Sequence, residues 1–415
     1  MPMHEWTQPE IAEFLSRERL AYQRIELPFG LSTPGDARPE MCDAIFRDVA
    51  GKSVLDVGSY LGYFCQEALR RGAKSAHGIE ADPEKVRQAH ALAEMNGLAP
   101  SFTAADVEAL ALTEPYDVVL CLNVIHHLFD PIGTVLRLAR AARHKLVLEV
   151  ASLGPRDGRK LGLGFLTRRM IGSLPVLYAA PGNPLASKRT NAQKYFFTPE
   201  SLRTILACHT HLFYDVEITP SGFKRRFVVI AKRRRIGHLL VVSGPTSVGK
   251  ADFMQQLRSG ALPAELRAKL PIGCEGWPQI REDDLSSPPA AAGDSPLQQP
   301  SLAGAVLHYD FLRPLASATH TFKRDQILDL LQSAERISVV TLRTQRERLI
   351  QRLRESEQRV AAKRSRLQQW HREQLLRDYE SERWLESWYE RWRSYLEAEH
   401  PRAAQVELRA PPASA

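Results

Sequence analysis

Two stretches of this 415-residue chain carry residue types at spacings suited to nucleotide-bearing ligands. The first is VLDVGSYLGYF, residues 54–64, where an apolar run ends at Asp56 and is followed by Gly58 and Gly62. Such a run is a buried strand that leads into a tight bend; the glycines let the backbone approach a ligand, and a helix begins at once. Glu80 ends the next apolar run, AHGIE, at about the twenty-residue distance at which a carboxylate takes ribose hydroxyls. Asp106 and Asn123 follow two further strands, where such sheets bind ligands, with a helix cap as the plain alternative. His126 follows the fourth strand. Its imidazole titrates near neutrality, which makes it a candidate base or substrate orienter, the alternative being a packed or capping ring. Adjacent His127 lacks the i, i+4 spacing for sharing a metal, so no zinc site is expected.

The second stretch, Gly244-Pro-Thr-Ser-Val-Gly249-Lys250, has the GxxxxGK spacing of a phosphate loop and lies between HLLVVS and ADFMQQLRSG. Its backbone amides would cradle the phosphates of ATP or GTP, and Lys250 would reach the terminal ones. Ala251 stands where a Ser or Thr hydroxyl normally meets magnesium, so Mg2+ would depend on another oxygen.

Periodicity places a strand at 53–57, a helix at 60–71, a strand at 76–80, a helix at 83–96, strands at 101–104 and 117–122, a helix at 131–142 and a strand at 144–150. That alternation predicts an α/β fold with a parallel sheet covered on both faces. Asp82, Pro83 and Asn96-Gly97 punctuate the second helix, which gives Asp82 a structural role and leaves Glu80 as the ligand candidate. The length exceeds what one core usually organises. The chain is read as two domains, 1–235 and 236–415, divided at the basic run KRRRIG.

The net charge of +8 suits acidic partners or a solvated basic face. Cys42, Cys65, Cys121, Cys208 and Cys274 are odd in number and show no CxxC spacing. A reduced, cytoplasmic, metal-free protein is therefore expected. No eighteen-residue apolar run is present, so neither export nor a membrane partner is expected.

The DxGxxxG turn of Asp56, Gly58 and Gly62, with Glu80, Asp106 and the run YDVVLCLNVIHHLFDP, resembles class I S-adenosylmethionine-dependent methyltransferases, with Tyr60 where a middle glycine often stands. The resemblance implies a Rossmann-like domain binding S-adenosylmethionine. Asp56 and the Gly58–Gly62 backbone would hold the methionine part, Glu80 the ribose, and Asp106 with Val107 the adenine. A side chain at Gly58 would then fill the space of the methionine moiety. KRTNAQKYFFTPESLRTIL, 188–206, with FYDVEITPS and RRFVVIAKR, is similar to the tRNA wobble-uridine 5-oxyacetate (carboxymethyl)transferase group. The resemblance thus implies a methyl acceptor that is either a small molecule or a tRNA. Within the Gly-, Pro- and Arg-rich insertion 151–194, Arg168, Arg169, Lys188, Arg189 and Lys194 either contact phosphates or form a solvated loop.

The stretch after Lys250 resembles P-loop kinases of small substrates. AVLHYDFLRP would end in Asp310 as a metal-binding or base carboxylate, RISVVTL would be another core strand and AQVELR the last. RTQRERLIQRLRESEQRVAAKRSR resembles an arginine-bearing lid in which Arg354 or Arg359 touches phosphate. The stretch 281–303 reads as low-complexity. Beyond the lid-like stretch a long helical segment places Trp384, Trp388, Trp392 and Tyr395 on one face, read as packed on the domain, with a base-stacking platform as the alternative.

Overall fold

The computed structural model describes residues 5–410 except 113, 154–161, 182–192, 224, 281–295, 310–328 and 361–365. The chain divides into two compact units, Met1–Arg233 and Arg234–Ala415.

In the first unit, β1 (Ser53–Val57), β2 (Ser75–Glu80), β3 (Ser101–Ala104), β4 (Tyr116–Leu122) and β5 (Ala142–Ala151) are mutually parallel neighbours. A short antiparallel pair, β6 (Leu177–Pro181) and β7 (Gln193–Phe197), stands apart from this sheet. The main sheet is completed by β8 (Phe213–Pro220) and β9 (Arg226–Arg233), giving the order β3-β2-β1-β4-β5-β9-β8. β9 runs antiparallel to both β5 and β8. Side chains alternate across the strands and pack on both faces. Val54 and Leu120 join the cluster containing Ile11, Ile45 and Phe64, whereas Leu55, Val57 and Cys121 join the one containing Val135, Leu138 and Leu202.

The helices beginning at Pro83 and Pro131 start where the sequence predicts, whereas the one expected at 60–71 spans Tyr63–Arg70, because left-handed Gly62 delays its start. Asp82 Oδ1 accepts from Glu84 N (3.0 Å) at the start of Pro83–Met95, and Asp130 Oδ1 accepts from Gly133 N (2.8 Å) at the start of Pro131–Ala141. Thr198 caps Pro199–Thr204 through Ser201 N, with proline at the first helical position. The described part of the insertion contains the helix Phe165–Gly172 and β6, which pairs with β7.

The basic run at 232–237 is strand rather than linker: β9 ends at Arg233 and β10 (Arg235–Ser243) starts after one residue. Arg233 Nη1 donates to the carbonyls of Ala139 (3.2 Å) and Ala142 (2.6 Å), which explains how a charged residue is buried there.

The second unit holds β10, β11 (Gln279–Ile280), β12 (Ser301–Leu302), β13 (Ala305–Tyr309), β14 (Ala334–Arg343) and β15 (Ala404–Arg409). All pairings are parallel. The order is β11-β13-β10-β14-β15, with β12 also beside β10. Helices Arg346–Val360, Arg366–Glu380 and Glu382–Glu399 follow β14. Trp388 and Trp392 are buried in the core; Trp392 Nε1 donates to Thr341 Oγ1 (2.9 Å) and its ring stacks on Tyr395. Among the described residues no helix is long and apolar enough to cross a membrane.

Candidate functional site

The carboxyl ends of β1, β2, β4 and β5 meet around the turn 58–62. The backbone there is left-handed at Gly58 (φ +77°) and Gly62 (φ +78°), and also at Tyr60 (φ +52°), a conformation that favours glycine and makes Tyr60 a strained exception. Gly58 N and Ser59 N both donate to Ile79 O, at 2.7 and 3.1 Å, which ties the turn to β2. A Cβ on Gly58 would overlap Val124 Cγ2, and one on Gly62 would overlap the Phe102 ring. The expectation that a side chain at 58 fills ligand space is therefore corrected: it would strike Val124 first.

Gln23 is a site residue that sequence reading missed. It is buried beneath the turn, where its Oε1 accepts from Leu61 N (3.1 Å) and Tyr63 N (3.3 Å). No motif surrounds it, since its partners lie some forty residues on.

Asp56 is buried and its Oδ2 has no hydrogen-bond partner among the described residues. Burial first, and then the nearby Glu80 charge, push its carboxyl up to about 7. Ser59 Oγ is likewise buried, with no hydrogen-bond partner among the described residues. Glu80 is oriented by two backbone donors, Tyr60 N (3.0 Å) to Oε2 and Asp82 N (3.1 Å) to Oε1.

Asp106 Oδ1 accepts from Glu108 N (2.9 Å), so it caps its own turn, with Val107 buried beside it. Asn123 is left-handed (φ +63°) and donates its N–H to Glu149 O (2.8 Å). His126 is buried on the turn Ile125–His127, its ring centroid 4.1 Å from that of His127. The structure thus brings Asp56, Gly58, Gly62, Glu80, Asn123 and His126 to one edge of the sheet, with Asp106 and Val107 after β3.

A buried ionic cluster lies beside them. Glu149, fully buried on β5, receives both terminal nitrogens of Arg38, and Ser221 Oγ donates to it as well. Arg226 Nη1 lies 3.4 Å from Glu149 Oε2 and 3.2 Å from Tyr22 Oη. The Phe223 ring lies against both guanidinium groups, at 4.4 Å from Arg38 and 5.3 Å from Arg226.

In the second unit the turn 244–250 leaves β10 and runs straight into the helix Lys250–Ser259. Lys250 is buried, and its Nζ donates to the carbonyls of Gly244 (2.7 Å) and Pro245 (3.0 Å). Arg352 Nη1 donates to Val248 O (2.8 Å) and would overlap a Cβ at Gly249, where φ is +106°. Tyr379 Oη donates to Thr246 O (2.7 Å). On the helix Arg346–Val360 it is thus Arg352 that meets the turn, while Arg354 is exposed; the Arg359 side chain lies outside the described residues. Asp310, Lys188 and Arg189, the Lys194 side chain and most of 281–303 also lie outside them.

Residues 35–207 match the family model described as a methyltransferase domain. The first unit carries a class I S-adenosylmethionine-dependent methyltransferase domain with a Rossmann-like α/β fold. A Neisseria meningitidis protein named ubiquinone biosynthesis O-methyltransferase is 32% identical over 139 residues, which are 32% of this chain and 57% of that protein. A Cellvibrio japonicus tRNA U34 carboxymethyltransferase is 33% identical over 110 residues, which are 25% of this chain and 34% of that protein. The chain thus spans little more than half, or less, of these relatives. Among solved structures it is similar to the N-terminal domain of EvdMO1 in the presence of SAH and D-fucose, at 18% identity and a TM-score of 0.44, covering 56% of this chain and 100% of that one.

Proposed function

We propose that the first unit binds S-adenosylmethionine along the carboxyl ends of β1 to β4 and transfers its methyl group to a small molecule or a tRNA. Asp56 carries this reading: a buried carboxylate with one oxygen lacking a partner calls for a cationic donor, and the cofactor's ammonium group is one. Gly58 and Gly62 allow the close backbone approach, Glu80 is turned toward ribose hydroxyls, and Asp106 with Val107 borders the adenine. When bound, the cofactor supplies a methyl group already activated on a sulfonium. What remains for the chain is to align the acceptor, exclude water and remove a proton, the last assigned to His126.

Calorimetry with S-adenosylhomocysteine tests this reading; a wild-type protein that binds none would refute it. For the acceptor, filter binding separates the alternatives: tRNA affinity that falls with salt and weakens when Arg168 and Arg169 are neutralised supports RNA, and no affinity at low salt leaves a small molecule.

For the second unit we propose nucleoside triphosphate binding, by ATP or GTP, at 244–250. The supporting observation is that β10 is flanked by parallel strands on both sides, and its carboxyl end opens onto a helix N-terminus with a buried lysine beside it. With Ala251 in place of a hydroxyl residue, the unit is either a small-molecule kinase whose Mg2+ takes another oxygen or a module that regulates methyl transfer. Assaying phosphoryl and methyl transfer on one preparation, with and without nucleotide, decides between them.

A further inference from the structure

We propose that Arg226, backed by Arg38, is a docking position for an acidic group on the methyl acceptor, which makes the acceptor a carboxylate-bearing small molecule. The proposal rests on the methyltransferase reading of the first unit.

The charges in the cluster do not balance. Arg38 meets the single carboxylate of Glu149 with both terminal nitrogens, which satisfies that pair. Arg226 is a second cation on the same carboxylate, held only through Nη1, at 3.4 Å from Glu149 and 3.2 Å from the Tyr22 hydroxyl. Its Nε and Nη2 make no hydrogen bond with a described residue, and the side chain is 21% exposed. One positive charge therefore remains in a largely buried setting, where an incoming anion would offset the cost of desolvation.

The cluster is also placed where an acceptor must come. Asn123 N–H donates to the Glu149 carbonyl, which sets the cluster one strand from the turn bearing His126. On the other side the Tyr22 ring meets that of Tyr60 edge-on at 5.9 Å, so the cluster adjoins the 58–62 turn. Phe223 and Tyr22 offer aromatic surface beside the cation. A guanidinium with two nitrogens still available is shaped for a carboxylate, which it can take in two parallel bonds.

The test uses the full chain and two probes that differ only in a carboxylate, 3,4-dihydroxybenzoate and catechol, titrated with and without saturating S-adenosylhomocysteine. The expected result is that the acid binds at least about tenfold more tightly. Arg226→Gln should remove that preference while leaving the Arg38–Glu149 pair, the melting temperature and S-adenosylhomocysteine affinity unchanged, and Arg226→Lys should restore part of it. Equal binding of the probes, binding of neither, or a preference that survives Arg226→Gln would overturn the proposal. So would loss of S-adenosylhomocysteine affinity in Arg226→Gln, which would assign the cation to the cofactor's own carboxylate. A wild type that prefers the acid yet binds no S-adenosylhomocysteine would overturn the methyltransferase reading, and with it the assignment to an acceptor.

Discussion

Gly58 and Val124 share one space across the carboxyl ends of β1 and β4, so that a Cβ on the glycine would overlap Val124 Cγ2. Gly58→Ala should therefore destabilise the fold by about 2–4 kcal/mol, combining left-handed strain with overpacking. Val124→Ala in the same background should recover the overpacking part and leave the strain. Urea denaturation of the single and double variants checks this; full recovery would show that the backbone term is absent.

Asp56 gives the stability of the first unit a predictable slope with pH. Its carboxyl ionises near 3.8 in the unfolded chain and near about 7 in the fold, so the unfolded state loses its proton first as pH rises. The contribution is fully present below about pH 4, falls through about pH 7 and is flat above, with a total of roughly 4 kcal/mol. Asp56→Asn should remove this slope, read as the difference between two denaturation series. S-adenosylhomocysteine binding near pH 6 should release protons, because a cation favours the ionised carboxylate; calorimetry in buffers of different ionisation heats measures that release.

Arg38→Met should cost about 3–5 kcal/mol, because it strips the bidentate partner from a fully buried carboxylate. The remaining contact from Arg226 puts the effect toward the lower end. Chemical denaturation gives the value, and an effect below about 1 kcal/mol would mean that water reaches Glu149.

Much of the first unit was legible because its signals are local. The strand at 53–57 and the caps at Asp82 and Thr198 each depend on residues within a few positions, and they stand where expected. The ionic cluster was not legible. Glu149 sits in the apolar run LVLEV, and its partners are 111 and 77 residues away in sequence. Gln23 was hidden for the same reason. Arg352 was missed by a finer margin: the charged helix was expected, but which arginine faces the turn depends on helix rotation, and at 100° per residue two positions change the face.

If 244–250 holds a nucleoside triphosphate as proposed, Lys250→Ala should weaken ATP binding about tenfold or more, because it removes the positive charge beside that turn. It should leave S-adenosylhomocysteine binding unchanged. Hydrolysis by the wild type should be slow, given Ala251. Equilibrium dialysis with labelled ATP, with and without magnesium, reads the affinity. If the wild type binds no nucleoside triphosphate, 244–250 is an ordinary strand-to-helix turn.

The pairing of β14 with β15 constrains how the chain can fold during synthesis. Ser338 lies opposite Ala404, so this edge closes only across about 65 intervening residues, a slow non-local step. The strands of the first sheet are all in hand once Arg233 has left the ribosome, whereas the second core lacks Trp388 and Trp392, and then its edge strand Ala404–Arg409, until almost the whole of these 415 residues has been made. Over that interval the nascent second unit exposes apolar strands, and chaperone dependence should concentrate there.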